Sequence, residues 1–158
     1  MVEEGTALLS GSGSLGNNCA IDLANGALLS VAAVTGGENF NGSTFAVRNG
    51  QHLAGDGTVD GAMAIESGGI IAPSDGTGQL TLSHTTFGSQ GCYIFEVDNA
   101  LGMAGSVSEG WDLIDCSGTL DVAATSKSPF QIEIRSLTSE QLAGPAVPLT
   151  QISVQKNR

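Results

Sequence analysis

Over residues 53–82, LAGDGTVDGAMAIESGGIIAPSDGTGQLTL, apolar side chains come singly or in pairs: Leu53, Val59, Met63 with Ile65, Ile70 with Ile71, Leu80 with Leu82. Gly, Asp, Ser and Thr separate them. Nowhere do the apolar positions recur at the spacing of a buried helix face. The pattern predicts very short strands joined by tight turns, an all-β chain. Such turns need backbone angles that Gly and Asn adopt at little cost, and Asn25-Gly26, Asn41-Gly42, Asn49-Gly50 and Asp56-Gly57 are placed to supply them.

The flanking sequence fills in the organisation. Residues 44–48 read as a strand, and the polar stretch before it, residues 36–43, as an insertion projecting from one face. The sequon Asn41-Gly42-Ser43 within it reads as a plain turn. Beyond residue 90 the alternation lengthens. Residues 92–98 and 130–135 predict half-buried strands, the latter with Phe130, Ile132 and Ile134 on one face. Residues 111–115 and 119–123 predict two more strands, and residues 99–110 a loop. Gly144-Pro145 and Pro148 exclude a central strand there, and residues 151–154 are a candidate last strand.

A faint internal repeat suggests how the strands are used. Gly11-Ser12-Gly13-Ser14-Leu15 matches Gly55-Asp56-Gly57-Thr58-Val59, and Ala20-Ile21-Asp22 matches Ala64-Ile65-Glu66, both at an offset of 44 residues. Two residues are then dropped, and Gly26-Ala27-Leu28-Leu29 matches Gly68-Gly69-Ile70-Ile71. Repeats of this kind mark solenoids, in which a unit too small to bury its own apolar face stacks on its neighbours. The offset corresponds to two coils of about 22 residues. The expected fold is a single-domain parallel β-helix spanning residues 1–158. Residues 1–90 form short-strand coils carrying the repeat, residues 91–154 form longer-strand coils, and residues 155–158 are a frayed tail. Because Asn-Gly is also a hairpin signal, a β-sandwich is the alternative.

Composition narrows the partners. Net charge is −11, and between Arg48 and Lys127 ten acids occur with no Lys or Arg. Nucleic acid and anionic membranes are therefore excluded as expected partners, since both are held by clustered cations. The sharper use of the acidity is calcium, for which Asp56 and Asp75, beside Gly turns with free carbonyls, are the candidates. Neither stretch matches an EF-hand or a nonapeptide calcium repeat. Cys19, Cys92 and Cys116 contain no CxxC pair; they read as small buried residues, with a Cys92–Cys116 disulfide as the alternative. No segment reaches the length of a membrane span, and the acidic start, MVEEGTALLS, is not a secretory signal. The chain is then either cytoplasmic or a mature or excised piece of an exported protein, and its abrupt start inside patterned sequence favours the piece.

Four segments carry a resemblance: LAGDGTV at residues 53–59, SGGIIAPSDGTGQLTL at 67–82, YIFEVDNA at 93–100 and WDLIDCSGTLDV at 111–122. Together they resemble the C-terminal part of secreted passenger proteins with autotransporter-associated β-strand repeats, over about half of the chain. Ser74 stands where that family more often has Gly. The resemblance implies a right-handed parallel β-helix at a bacterial cell surface, in an adhesin-like or structural protein. It brings no catalytic residues with it.

The residues themselves point the same way. His52 and His84 are the only imidazoles, and there is no G-x-S-x-G elbow for a nucleophile. Paired carboxylates, Glu96 with Asp98 or Asp112 with Asp115, are the best enzymatic candidates, for polysaccharide cleavage. Yet no cation accompanies them to hold an acidic substrate, and acids on a solvated strand face are the simpler reading. The expected function is a non-catalytic, extracellular, structural or adhesin-like module with no cofactor. An open end would stack on another copy, giving filaments. The alternative is a module that binds or cleaves surface glycans, with Tyr93, Phe95 and Trp111 as the contact residues.

Overall fold

A computed structural model describes residues 1–144 and Ala146. The candidate strand at 151–154 and the tail at 155–158 lie outside the described residues. Sixteen strands and no helix make up the described chain. The first four are β1 (Thr6–Gly11), β2 (Ala20–Leu23), β3 (Leu28–Val34) and β4 (Phe45–Val47). There follow β5 (His52–Gly55), β6 (Thr58–Asp60), β7 (Met63–Ile65), β8 (Ile70–Ala72), β9 (Gln79–Leu82) and β10 (Thr85–Phe87). The last six are β11 (Cys92–Val97), β12 (Met103–Ala104), β13 (Gly110–Trp111), β14 (Leu113–Cys116), β15 (Leu120–Val122) and β16 (Gln131–Ser136).

These strands form three sheets. Sheet one runs β12-β13-β11-β8-β5-β2, with β16 also on β11; sheet two runs β1-β3-β6-β9-β14; sheet three runs β15-β10-β7-β4. From β2 to β10 the chain visits sheets one, two and three in turn, and each return places a strand parallel to its predecessor. β11, β14 and β15 make the next such tier, and β16 begins another in sheet one alone. Among the strand pairs only β11 with β13 is antiparallel. The strands that flank Asn25-Gly26 and Asn49-Gly50 lie in different sheets, so these turns are corners rather than the hairpins of a sandwich.

Parallel registry builds ladders of like side chains. In sheet three one line runs Phe45–Met63–Thr85–Leu120 and another Val47–Ile65–Phe87–Val122. In sheet two Ala7–Leu29–Val59–Leu82–Cys116 line up. In sheet one the line is Ile21–Leu53–Ile71–Tyr93–Ile132. The inner members of all three sheets form one buried core. A strand of three residues, such as Met63–Ile65, is stable only because it bonds to a strand on each side and buries its apolar side chains against two other sheets. Corners must be thin for tiers to stack: a Cβ at Gly55 (φ +108°) would sit 2.1 Å from the Leu23 carbonyl oxygen.

Several expectations change. The residues paired along sheet one, Ala20, His52, Ile70, Cys92 and Gln131, are spaced by 32, 18, 22 and 39 positions. The 44-residue offset is therefore not a structural register: it matches turn signals, not stacked positions. Residues 36–43 do not project. Asn39 is buried, Phe40 bridges Phe45, and the stretch folds back across the first strand of sheet three. The strand expected at 111–115 is broken at Asp112, where the chain passes from sheet one to sheet two. Finally, Ile132 and Ile134 are exposed rather than half-buried, because β16 has no companion from sheets two and three among the described residues.

Candidate functional site

The two ends of the stack differ. At the N-terminal end, sheet one is crossed by Val2, whose N–H donates to the Asp22 carbonyl and whose carbonyl accepts from Ala24 N–H. Sheet three is crossed by residues 39–40, with Ala46 N–H donating to the Asn39 carbonyl at 2.6 Å. The Asn39 side chain is fully engaged. It accepts from Leu15 N–H at 2.7 Å and donates to the Ala46 carbonyl at 2.5 Å and to Gln51 Oε1 at 2.7 Å. Sheet two alone ends in a free strand, β1, above a groove of about 200 Å³ lined by Ala7, Leu9, Leu15 and Ile21.

At the C-terminal end, no described strand pairs with the outer edges of β14, β15 or β16. Here the lines of sheets one and three finish on apolar side chains that no described strand covers, whereas the sheet-two line finishes on the half-buried Cys116. Leu120 is 47 % exposed above the buried Phe45–Met63–Thr85 line, and Val122 is 69 % exposed above Val47, Ile65 and Phe87. Ile132 and Ile134 are 60 % and 71 % exposed above Tyr93 and Phe95. Apart from Thr85 these lines are apolar throughout; the last rung differs in having no strand beyond it among the described residues.

The aromatic candidates converge at this end. Phe95 and Trp111, with Val97 and Ala100, line a shallow depression of about 260 Å³. The Tyr93 ring meets Phe95 edge-on at 6.0 Å, and Phe87 stacks on Phe130 at 4.2 Å. Burial pushes the Tyr93 phenol above its ordinary pKa, so it stays neutral.

The acidic candidates do something else. Glu96, Asp98 and Asp112 are buried, at 8 %, 2 % and 2 % exposure, which corrects the solvated-face reading. The turn 74–78 and the turn at 138–142 lie across that face of β11; the carboxylates bind the backbone of the first and the Gln141 side chain of the second. Asp112 accepts from Gly78 N–H at 2.9 Å and Glu96 N–H at 2.7 Å, and Glu96 accepts from Gly76 N–H at 2.9 Å. Asp98 accepts from Gly110 N–H at 2.6 Å and from the Gln141 amide, which in turn accepts from Thr77 N–H at 2.8 Å. Burial raises the Asp112 carboxyl to about 8, against the opposing pull of its two N–H donors, and burial also raises Glu96. Neither residue lines any of the cavities described here. Asp115 is exposed and apart from this network. The missed signal was the strand break at Asp112, where an acid follows Gly110-Trp111 at a sheet change.

The calcium candidates Asp56 and Asp75 lie at and beside the turn 74–78. Asp56 Oδ1 accepts from Gln79 N–H at 3.0 Å, Asp75 is exposed, and among the described residues no three His, Cys, Asp or Glu side chains are grouped to hold a metal ion. Asn41 caps its own turn, accepting from Ser43 and Thr44 N–H. His84 contacts Thr119 at a turn, whereas the His52 Nε2 is buried without a partner and burial lowers its pKa. Cys19, Cys92 and Cys116 are free and half-buried, not fully buried and not paired. No described helix is long and apolar enough to cross a membrane. The chain matches no family model, no curated protein and no solved structure.

Proposed function

We propose that this chain is a segment of a right-handed parallel β-helix serving as a non-catalytic structural or adhesin-like module outside the cell, as in autotransporter-associated repeat passengers. One observation carries the reading: the parallel ladders of sheets one to three repeat tier after tier and then stop on uncovered rungs. Such an object has length but no enclosed site. Its buried acids are spent on holding turns, and copies of itself are the proposed partner.

A test follows from the ladders. Met63 and Thr85 are paired residues 22 positions apart, so deleting residues 63–84 removes one tier and leaves every remaining strand a partner. A solenoid absorbs this as a shorter stack. The deletion variant is expected to keep its β circular dichroism and a cooperative, lower urea midpoint. A random-coil spectrum would refute the reading.

A second reading, a glycan-binding module, draws on the half-exposed Phe95 and Trp111 at the rim of their depression. Trp111 is the only tryptophan, so its fluorescence reports that site directly. Titration with cello-, xylo- and chito-oligosaccharides to about 10 mM, well past the millimolar affinities at the weak end of specific binding, is expected to leave the emission unchanged. A saturable shift would favour the glycan reading.

A further inference from the structure

We propose that Thr77 and Gln141 join covalently: the Thr77 hydroxyl displaces ammonia from the Gln141 carboxamide and leaves an intramolecular ester between the turn 74–78 and the turn at 138–142. The two side chains already meet over the face of β11. Thr77 is 1 % exposed. Its N–H donates to Gln141 Oε1 at 2.8 Å, and its hydroxyl donates to the same oxygen at 3.4 Å. The other end of the carboxamide is held as well, since Nε2 donates to Asp98 Oδ2. Gly76 makes the room: a Cβ there would lie 2.7 Å from Oε1 and 3.4 Å from Cδ. Gln141 has φ +60°, a left-handed backbone that costs a glutamine energy, and its N–H holds the turn by donating to the Thr138 carbonyl at 2.9 Å.

These residues hold every part the reaction needs. Thr77 Oγ1 attacks Cδ, and the Oγ1–Cδ bond forms as the carbonyl electron pair moves onto Oε1. With Oγ1 3.4 Å from Oε1 and a carbonyl bond of about 1.23 Å, Cδ lies at most about 4.6 Å from the hydroxyl. The approach to about 3–3.5 Å that attack requires is a small side-chain movement. Thr77 N–H already points at Oε1, so it stabilises the oxyanion as a fixed donor. The hydroxyl proton passes to the Asp98 carboxylate and from there to Nε2, which Asp98 already touches. The Cδ–Nε2 bond then breaks, ammonia leaves and the carbonyl re-forms. Asp98 is regenerated, and no oxidant, reductant or other reactant is consumed. Asp112 sits on the neighbouring Gly78 N–H. Burial raises its carboxyl to about 8, so it is neutral at pH 7 and adds no charge against the oxyanion.

The product is a staple. It closes the chain from residue 77 to residue 141 and ties the turn after β16 to the turn before β9. Cross-links that close long loops stabilise a fold by restricting the unfolded chain. Cys19, Cys92 and Cys116 are free, so no disulfide does this. β16 gains most, because it pairs with β11 and has no companion from sheets two and three among the described residues. A bond that forms once suits the structural reading above but does not depend on it.

Intact-mass spectrometry on the folded 158-residue chain reads the reaction directly. After several days at neutral pH the expected mass is about 17 Da below that of the sequence, the loss of one ammonia. In a chymotryptic digest the two turns are expected as one joined peptide. Thr77→Ser keeps the hydroxyl and is expected to join. Thr77→Val keeps the shape without the hydroxyl and is expected to yield no joined peptide. Asp98→Asn is expected to join at least about tenfold more slowly. Succinimide formation at Asn25-Gly26, Asn41-Gly42 or Asn49-Gly50 also releases ammonia, but it joins no peptides and persists in Thr77→Val. A chain that keeps its full sequence mass would overturn the ester. So would a loss of ammonia without a joined peptide holding both Thr77 and Gln141. Joining at the parent rate in Asp98→Asn would overturn the proton route through Asp98. The parent's digest decides for or against the ester even where a variant fails to fold.

Discussion

The ladder Val47–Ile65–Phe87–Val122 allows one chemical change to be compared at a covered and an uncovered rung. Ile65 is fully buried, with a tier on each side. Ile65→Ala removes three carbons, about 2.4 kcal/mol of transfer free energy at about 0.8 kcal/mol per methylene. The cavity left between two strands that cannot collapse brings the total to about 3–4 kcal/mol. Val122→Ala removes two carbons, worth about 1.6 kcal/mol if buried. At 69 % exposure only about a third of that applies, or about 0.5 kcal/mol. The two costs are to be measured by urea unfolding, comparing midpoints at an unchanged m value. Equal costs would mean that Val122 is covered in solution and would refute the account of the end.

Three further outcomes are expected. Asp112 has a folded pKa of about 8 against an ordinary 3.8, so between those values the native state binds the extra proton and stability falls as pH rises from 4 to 8. The urea midpoint of the parent should decline over that window, and Asp112→Asn should flatten the decline; an unchanged slope would sink the assignment. Asn39→Ala strands Leu15 N–H and the Ala46 carbonyl and should cost about 3 kcal/mol by the same assay, far more than an exposed Asn41→Ala. Gly55→Ala, at φ +108° with its Cβ 2.1 Å from the Leu23 carbonyl, should cost at least about 2 kcal/mol, whereas Gly16→Ala, which meets open space, should be near neutral by thermal melt.

What residues 53–82 settle by themselves is local: short strands, Gly and Asn corners, no helix. Strand propensity and turn chemistry act within a few residues, so the pattern is legible without the fold. The parallel pairing is less so. From one tier to the next the partners lie 18 to 39 residues away, and loops of unequal length hide the register behind a repeat of turn signals at 44. Burial is decided by tertiary structure alone. Val59 and Val122 each sit beside an Asp in a three-residue strand, Thr58-Val59-Asp60 and Leu120-Asp121-Val122, yet Val59 is fully buried and Val122 is 69 % exposed, because one has a strand on each side and the other has none beyond it among the described residues. Glu96 and Asp98 alternate along β11 as solvated acids would. Only the tertiary structure makes them buried acceptors, Glu96 for Gly76 N–H of the turn packed across that face and Asp98 for Gly110 N–H and the Gln141 amide. The sequence thus determined what each strand is, and the stacking of distant tiers decided which side chains face water.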